Sequence, residues 1–162
     1  MNLQELLEYS NHHTEILKQI RRELHQNPEF GLDLPWTLKR VMQSIDGLGE
    51  VFFGEGMTAI ALLIKGAKPG PTVLLRSDMD ALAVIEDTGL EYSSTNGYMH
   101  ACGHDLHMSM AIGAAHLLHT FREHLIGDVV VWFQPGEEGL AGADHMLEQK
   151  MHLVSGSKPI AA

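Results

Sequence analysis

Residues 128–133 read Asp-Val-Val-Val-Trp-Phe, five apolar side chains in an unbroken run. A strand with one wet face alternates apolar and polar residues, so a run without alternation fits a strand covered on both faces. The rest of the chain supplies the covering elements. Residues 3–25 place Ile16, Leu17, Ile20 and Leu24 on one helical face, and Asn27-Pro28 ends that helix, because the residue before proline is driven out of the helical region. Residues 35–45 predict a second helix that opens at Pro35, with Gly47 and Gly49 beyond its end. Residues 58–64 and 72–76 read as two strands, expected to pair as a hairpin across the turn at 67–71. Residues 105–125 predict a long helix with Met108, Ile112, Ala115 and Leu118 in one stripe, closed by Gly127, and residues 141–149 a short one. Helices and strands alternate without repeats, which predicts an α/β layer fold with a mixed sheet. Ile160-Ala161-Ala162 reads as the start of a further strand with no cap or polar tail. The chain is therefore expected to be part of a longer one.

A length of 162 residues suits one core. The 11 basic against 21 acidic residues give a formal net charge of −10, which argues against a nucleic-acid partner and against an anionic membrane surface. One cysteine makes no internal disulfide. The acidic N-terminus lacks a signal-peptide pattern, and no apolar run nears the ~20 residues needed to cross a bilayer. These features point to the cytoplasm.

The chemistry concentrates in three clusters, each placed to follow a strand or open a helix, where sites gather in open α/β sheets. The densest is His100-Ala101-Cys102-Gly103-His104-Asp105-Leu106-His107. A thiolate and an imidazole two positions apart can reach one divalent ion, and a helix N-terminus there would favour the thiolate. A buried apolar cysteine is the plainer alternative. Glu137 and Glu138 follow residues 128–133. As neighbours in a turn they point apart, which suits Glu138 as a ligand and Glu137 as a general base, although a solvated acidic turn has the same spacing. Asp78 and Asp80 follow residues 72–76 and fit ligands, residues that orient a ligand histidine, or turn and cap aspartates equally well. Arg76 beside them fits a partner for one of these carboxylates or for a substrate carboxylate. His107 shares a helical face with His104 and is a candidate to support it; His100 reads as a support or a loop residue. His116, His119 and His124 are expected on the outer face of their helix. His12, His13, His145 and His152 carry no pattern.

These motifs resemble the metal-dependent amidohydrolase and aminoacylase family of metallopeptidase type, which includes hippurate hydrolase, N-acyl-amino-acid amidohydrolases and plant auxin-conjugate hydrolases. Residues 21–29 (Arg-Arg-Glu-Leu-His-Gln-Asn-Pro-Glu) are similar to the family's opening helix and turn, and residues 76–82 (Arg-Ser-Asp-Met-Asp-Ala-Leu) to its first site motif. Residues 99–107 and 133–139 are similar to its cysteine–histidine and paired-glutamate motifs. The resemblance implies a zinc-exopeptidase-like three-layer sandwich with a mixed sheet, incomplete here, with residues 1–162 forming the N-terminal part of the catalytic domain. An inserted dimerisation domain and the C-terminal half, with two further ligand histidines, would be absent. It implies that Cys102, His104 and Glu138 bind a pair of divalent ions (Zn, Mn, Co or Ni), with Glu137 as the base toward the attacking water and proton donor to the leaving amine. Asp78 falls where related exopeptidases carry an aspartate that orients a ligand, and Arg76 falls where they carry a histidine. Gly136 stands where alanine is common.

The implied activity is hydrolysis of the amide bond of N-acyl amino acids or related amides, weak in this chain alone. An exposed sheet edge would allow homo-oligomers. A non-enzymatic metal-binding or interaction remnant is the alternative. A thiol amidase using Cys102 fits less well, because His104 is better placed to share a metal than to act as the base of Cys102.

Overall fold

The structure, a computed structural model, describes residues 2–162. Helix α1 (Leu3–Gln26) opens on a reciprocal capping box, in which the Asn2 side chain accepts from Glu5 N and the Glu5 carboxylate accepts from Asn2 N. Only its second half enters the core: Ile20 and Leu24 are buried, whereas Ile16 is 56% exposed and departs from the expected apolar face. Helix α2 (Pro35–Ile45) has no side-chain cap at Leu34. The Glu29 carboxylate substitues for one from outside, accepting Trp36 N at 3.2 Å and Thr37 N at 2.8 Å.

Four strands follow: β1 (Glu50–Phe53), β2 (Ile60–Ile64), β3 (Lys68–Asp78) and, after helix α3 (His104–Thr120), β4 (Ile126–Gln134). Their spatial order is β1-β2-β4-β3, antiparallel except for the parallel β3–β4 pair. The hairpin expected between residues 58–64 and 72–76 does not form. The apolar run takes the place between them, pairing Val129–Phe133 with β2 on one side and β3 on the other. Two neighbouring parallel strands need a crossover, and α3 provides it. Helix α3 ends at Thr120, short of residue 125, and a 3-10 turn (Arg122–His124) leads into β4. Gly127 therefore closes no helix. It lies in β4 at φ 87°, where a Cβ would sit 1.9 Å from Pro71 O, beside the register shift between Lys68 and Thr72. Only glycine permits that approach.

The sheet is buried on both faces, which makes three layers. Ile60, Leu62, Ile64, Val131 and Phe133 pack against α1, α2 and α3. Ala61, Leu63, Leu74, Val130 and Trp132 pack against Met146 of α4 (Gly142–Glu148) and Met151. The two sets alternate along β2 and β4, as the pleat requires. Strand β3 is the outer strand of its side, and the final residues pair with its first half through Ile160 N to Thr72 O and Leu74 N to Ala161 O. His116 and His119 do not lie on an outer face. Half-buried, they hydrogen-bond the carbonyls of Ser44 and Leu48 and tie α3 to the end of α2. No helix among the described residues is long and apolar enough to cross a membrane.

Candidate metal centre

The parallel pair β3–β4 ends on Asp78 opposite Gln134, and the polar clusters collect just beyond those carboxyl ends, as the topology predicts. The three motifs arrive by different routes. Asp80 follows β3 by two residues. Cys102 and His104 lie at the start of α3. Glu137 and Glu138 sit in the turn after β4. Gly103, at φ 89°, turns the chain between Cys102 and His104. Gly136, at φ 66°, turns it before the glutamates, and a Cβ there would meet Leu32 Cδ2 at 2.5 Å.

One ligand atom each from Cys102, His104 and Glu138 lies within 4.8 Å of the others. The same is true of Asp78, His104 and His107. His104 is buried, and its Nδ1 lies 2.7 Å from the backbone oxygen of Asp80. Nδ1 is thus the donor and Nε2 keeps the lone pair, which leaves His104 a single nitrogen for either trio. Glu137 Oε2 stands 3.8 Å from that Nε2.

Asp80 organises the centre. Wholly buried, it accepts Glu137 N on Oδ1 and Glu138 N on Oδ2, both at 3.0 Å. Burial works to raise its carboxyl, but hydrogen bonds from His104 and the two amides outweigh burial and hold it below the usual range. Asp78 instead meets Arg76, whose guanidinium also donates to Gln134 Oε1 at 2.6 Å, and lies 3.3 Å from His107 Nδ1. Of the two aspartates, Asp80 is the one that contacts His104. His107 stacks on His104 with ring centroids 5.3 Å apart.

One charge state is not the one the sequence suggested. Although Cys102 is exposed as a residue, local desolvation and then the hydrogen bond with Glu138 push its thiol up. Desolvation and the nearby carboxylates both disfavour the thiolate, which a bound cation would stabilise. His104 loses to burial but gains more from Asp80, and its imidazole is raised. A sulfur, a nitrogen and a carboxylate oxygen converge with excess negative charge, which is the donor chemistry of a borderline divalent ion. The residues fit such an ion.

Sequence reasoning missed two buried features. His100 is 4% exposed with neither ring nitrogen hydrogen-bonded, and burial pushes it down to about 4. His25 joins the buried carboxylates of Asp105 and Glu86. Their separations of 80 and 61 residues leave no local signal.

The chain is similar to known proteins over most of its length. Residues 74–161 match the family model described as peptidase family M20/M25/M40. Thermostable carboxypeptidase 1 of Saccharolobus solfataricus is 47% identical over 135 residues, 80% of this chain and 34% of that protein. N-acetyldiaminopimelate deacetylase of Limosilactobacillus reuteri is 44% identical over 141 residues, 83% of this chain and 36% of that protein. The crystal structure of the Bacillus subtilis YXEP protein, described as a dinuclear metal binding peptidase from the M20 family, superposes with a TM-score of 0.81 at 38% identity, over 86% of this chain and 40% of that one. The chain thus spans about a third of the length of these curated relatives.

Proposed function

The chain belongs to peptidase family M20/M25/M40, and from that premise we propose that it forms the N-terminal part of the catalytic unit of a metal-dependent amidohydrolase acting on N-acyl amino acids or related small amides. The observation that carries the reading is the approach of Cys102, His104 and Glu138 to within 4.8 Å, with the Glu137 carboxylate beside His104 Nε2. Relatives whose names describe a carboxypeptidase and a deacetylase support hydrolysis of an amide or peptide bond.

Cys102, His104 and Glu138 would hold divalent metal, two ions in the complete site. Bound there, the metal would supply Lewis-acid polarisation of the scissile carbonyl and acidify water. The chain's own groups do the rest. Asp80 accepts the adjacent N–H groups of Glu137 and Glu138, which anchors the backbone that carries both carboxylates. Glu137, 39% exposed on its side chain, is free to accept the proton of the attacking water at a carboxylate oxygen and return it to the leaving amine nitrogen. Asp78 is held by Arg76 and His107 at the rim of the same centre, where it steadies the ring stacked on His104.

Release of the amino acid from N-acyl substrates, followed in the presence of Zn²⁺, Mn²⁺ or Co²⁺, tests the reading. Hydrolysis should stop on chelation and survive thiol-directed reagents once metal protects Cys102. Glu137→Gln should keep metal binding but lower turnover by ~10²–10⁴-fold, the range of a general base. Hydrolysis that ignores chelators and stops on alkylation of Cys102 would establish the thiol amidase instead.

A further inference from the structure

Behind the cysteine–histidine turn lies a buried chain of side chains that none of the chemistry above uses. Asp105, the residue after His104, is wholly buried. Its Oδ2 accepts from His25 Nδ1 at 2.7 Å and faces Arg21 Nε at 2.8 Å, and its Oδ1 accepts Leu106 N at 2.9 Å. His25 Nε2 continues to Glu86 Oε1 at 3.0 Å. The Glu86 side chain is closed to solvent and is further bonded by the Thr88 hydroxyl and by Ser94 N at 2.6 Å. Tyr92, in the same loop, lies under the guanidinium groups of Arg21 and Arg22 at 5.4 and 5.2 Å and meets the His25 ring edge-on.

Two points of chemistry give this chain a direction. Both ring nitrogens of His25 face carboxylate oxygens, so the imidazole bridges Asp105 and Glu86. Arg21 and His25 thus give the carboxylates of Asp105 and Glu86 the partners that buried polar groups need. In addition, α3 has Gly103 as its N-cap and no side-chain cap hydrogen bond there. The first-turn amide of Leu106 is shared between Gly103 O and Asp105 Oδ1, each at 2.9 Å, and the His25 imidazole and Arg21 hold Asp105 from behind. Removing one partner of a buried ionic network leaves the others unpaired, which disturbs the arrangement they hold.

We propose that His25 and Glu86 are positioning residues for the metal-ligating turn: the His25 imidazole, braced by Glu86, holds Asp105 and so aims His104 toward Cys102 and Glu138. The proposal rests on the reading of Cys102, His104 and Glu138 as ligands. It makes loop 86–94 part of the metal centre's support, although none of its residues belongs to either trio of candidate ligands.

Co²⁺ is the probe, because its ligand-field and sulfur charge-transfer bands report geometry directly. The full chain is titrated with Co²⁺ as wild type, as His25→Gln and as Glu86→Gln. Arg40→Met, which breaks the Arg40–Glu23 pair between α2 and α1, serves as a control for stability alone. The proposal expects both network variants to weaken Co²⁺ binding by about tenfold or more and to alter the bands, as loss of a ligand's supporting partners does, with far-ultraviolet circular dichroism of the metal-free chain retained. Arg40→Met should lower the melting temperature without touching the bands. Should His25→Gln fail to fold, Glu86→Gln carries the comparison, because it keeps an oxygen acceptor for His25 while removing the charge and turning an amide donor toward Ser94 N. Wild-type affinity and spectrum in Glu86→Gln would overturn the proposal, whatever its melting temperature. A wild-type chain that binds no Co²⁺ would be a different failure, removing the ligand reading and this proposal with it.

Discussion

At the scale of single residues, the centre depends on which atoms are already committed before a metal arrives. His104 spends Nδ1 on the Asp80 carbonyl, and Asp80 spends both carboxylate oxygens on Glu137 and Glu138 amides. Asp80→Asn places an amide donor against one of those part-buried N–H groups. The substitution should cost about 1–3 kcal/mol in denaturant unfolding of the metal-free chain and weaken metal binding as well. An unchanged unfolding midpoint would show that the two glutamates are held otherwise. Residue identity alone did not distinguish Asp80 from Asp78. Both follow a strand, and only the turn of the backbone after Asp78 decides that one faces Arg76 and His107 while the other reaches His104. The thiol was misread for a similar reason. The proximity of a helix start is visible in sequence, whereas the carboxylates that outweigh it come from Glu137, Glu138 and Asp78, each far along the chain.

At the scale of elements, legibility followed burial. The run at Val129–Phe133 and the bounds of α2 were readable because each obeys one dominant rule, two-sided burial in one case and proline at the first turn in the other. Strand β1 was not, since four residues with an exposed-to-half-buried pattern give no period. The pairing of β2 with β4 was also out of reach: adjacency in sequence favours a hairpin, and the parallel crossover through α3 overrides it only when the whole sheet is assembled. Gly127 carries that assembly in one residue. Gly127→Ala should destabilise by more than the ~1–2 kcal/mol of a left-handed backbone alone, because the added Cβ also meets Pro71 O at 1.9 Å. Thermal unfolding checks this, and a variant as stable as wild type would contradict the close β3–β4 approach.

At the scale of the whole molecule, the charge balance sets the pH behaviour. Burial raises the Glu86 carboxyl, but hydrogen bonds from Thr88, Ser94 N and His25 outweigh it and hold the group at about 2, against 4.5 when free. A carboxyl lowered by folding contributes stability that is complete above its free value and disappears as pH falls through its folded one. Stability should therefore decline from pH 4.5 toward 2, and Glu86→Gln should flatten that decline in acid titrations followed by circular dichroism. An unchanged acid limb would place Glu86 outside the folded network.

The central claim is that three side chains from two distant motifs make a metal site. Elemental analysis of the purified chain beside Cys102→Ala tests it most directly. The account predicts divalent metal bound to the wild-type chain and lost, or sharply reduced, in the variant. No bound metal in the wild-type chain, or equal metal in both, would contradict it.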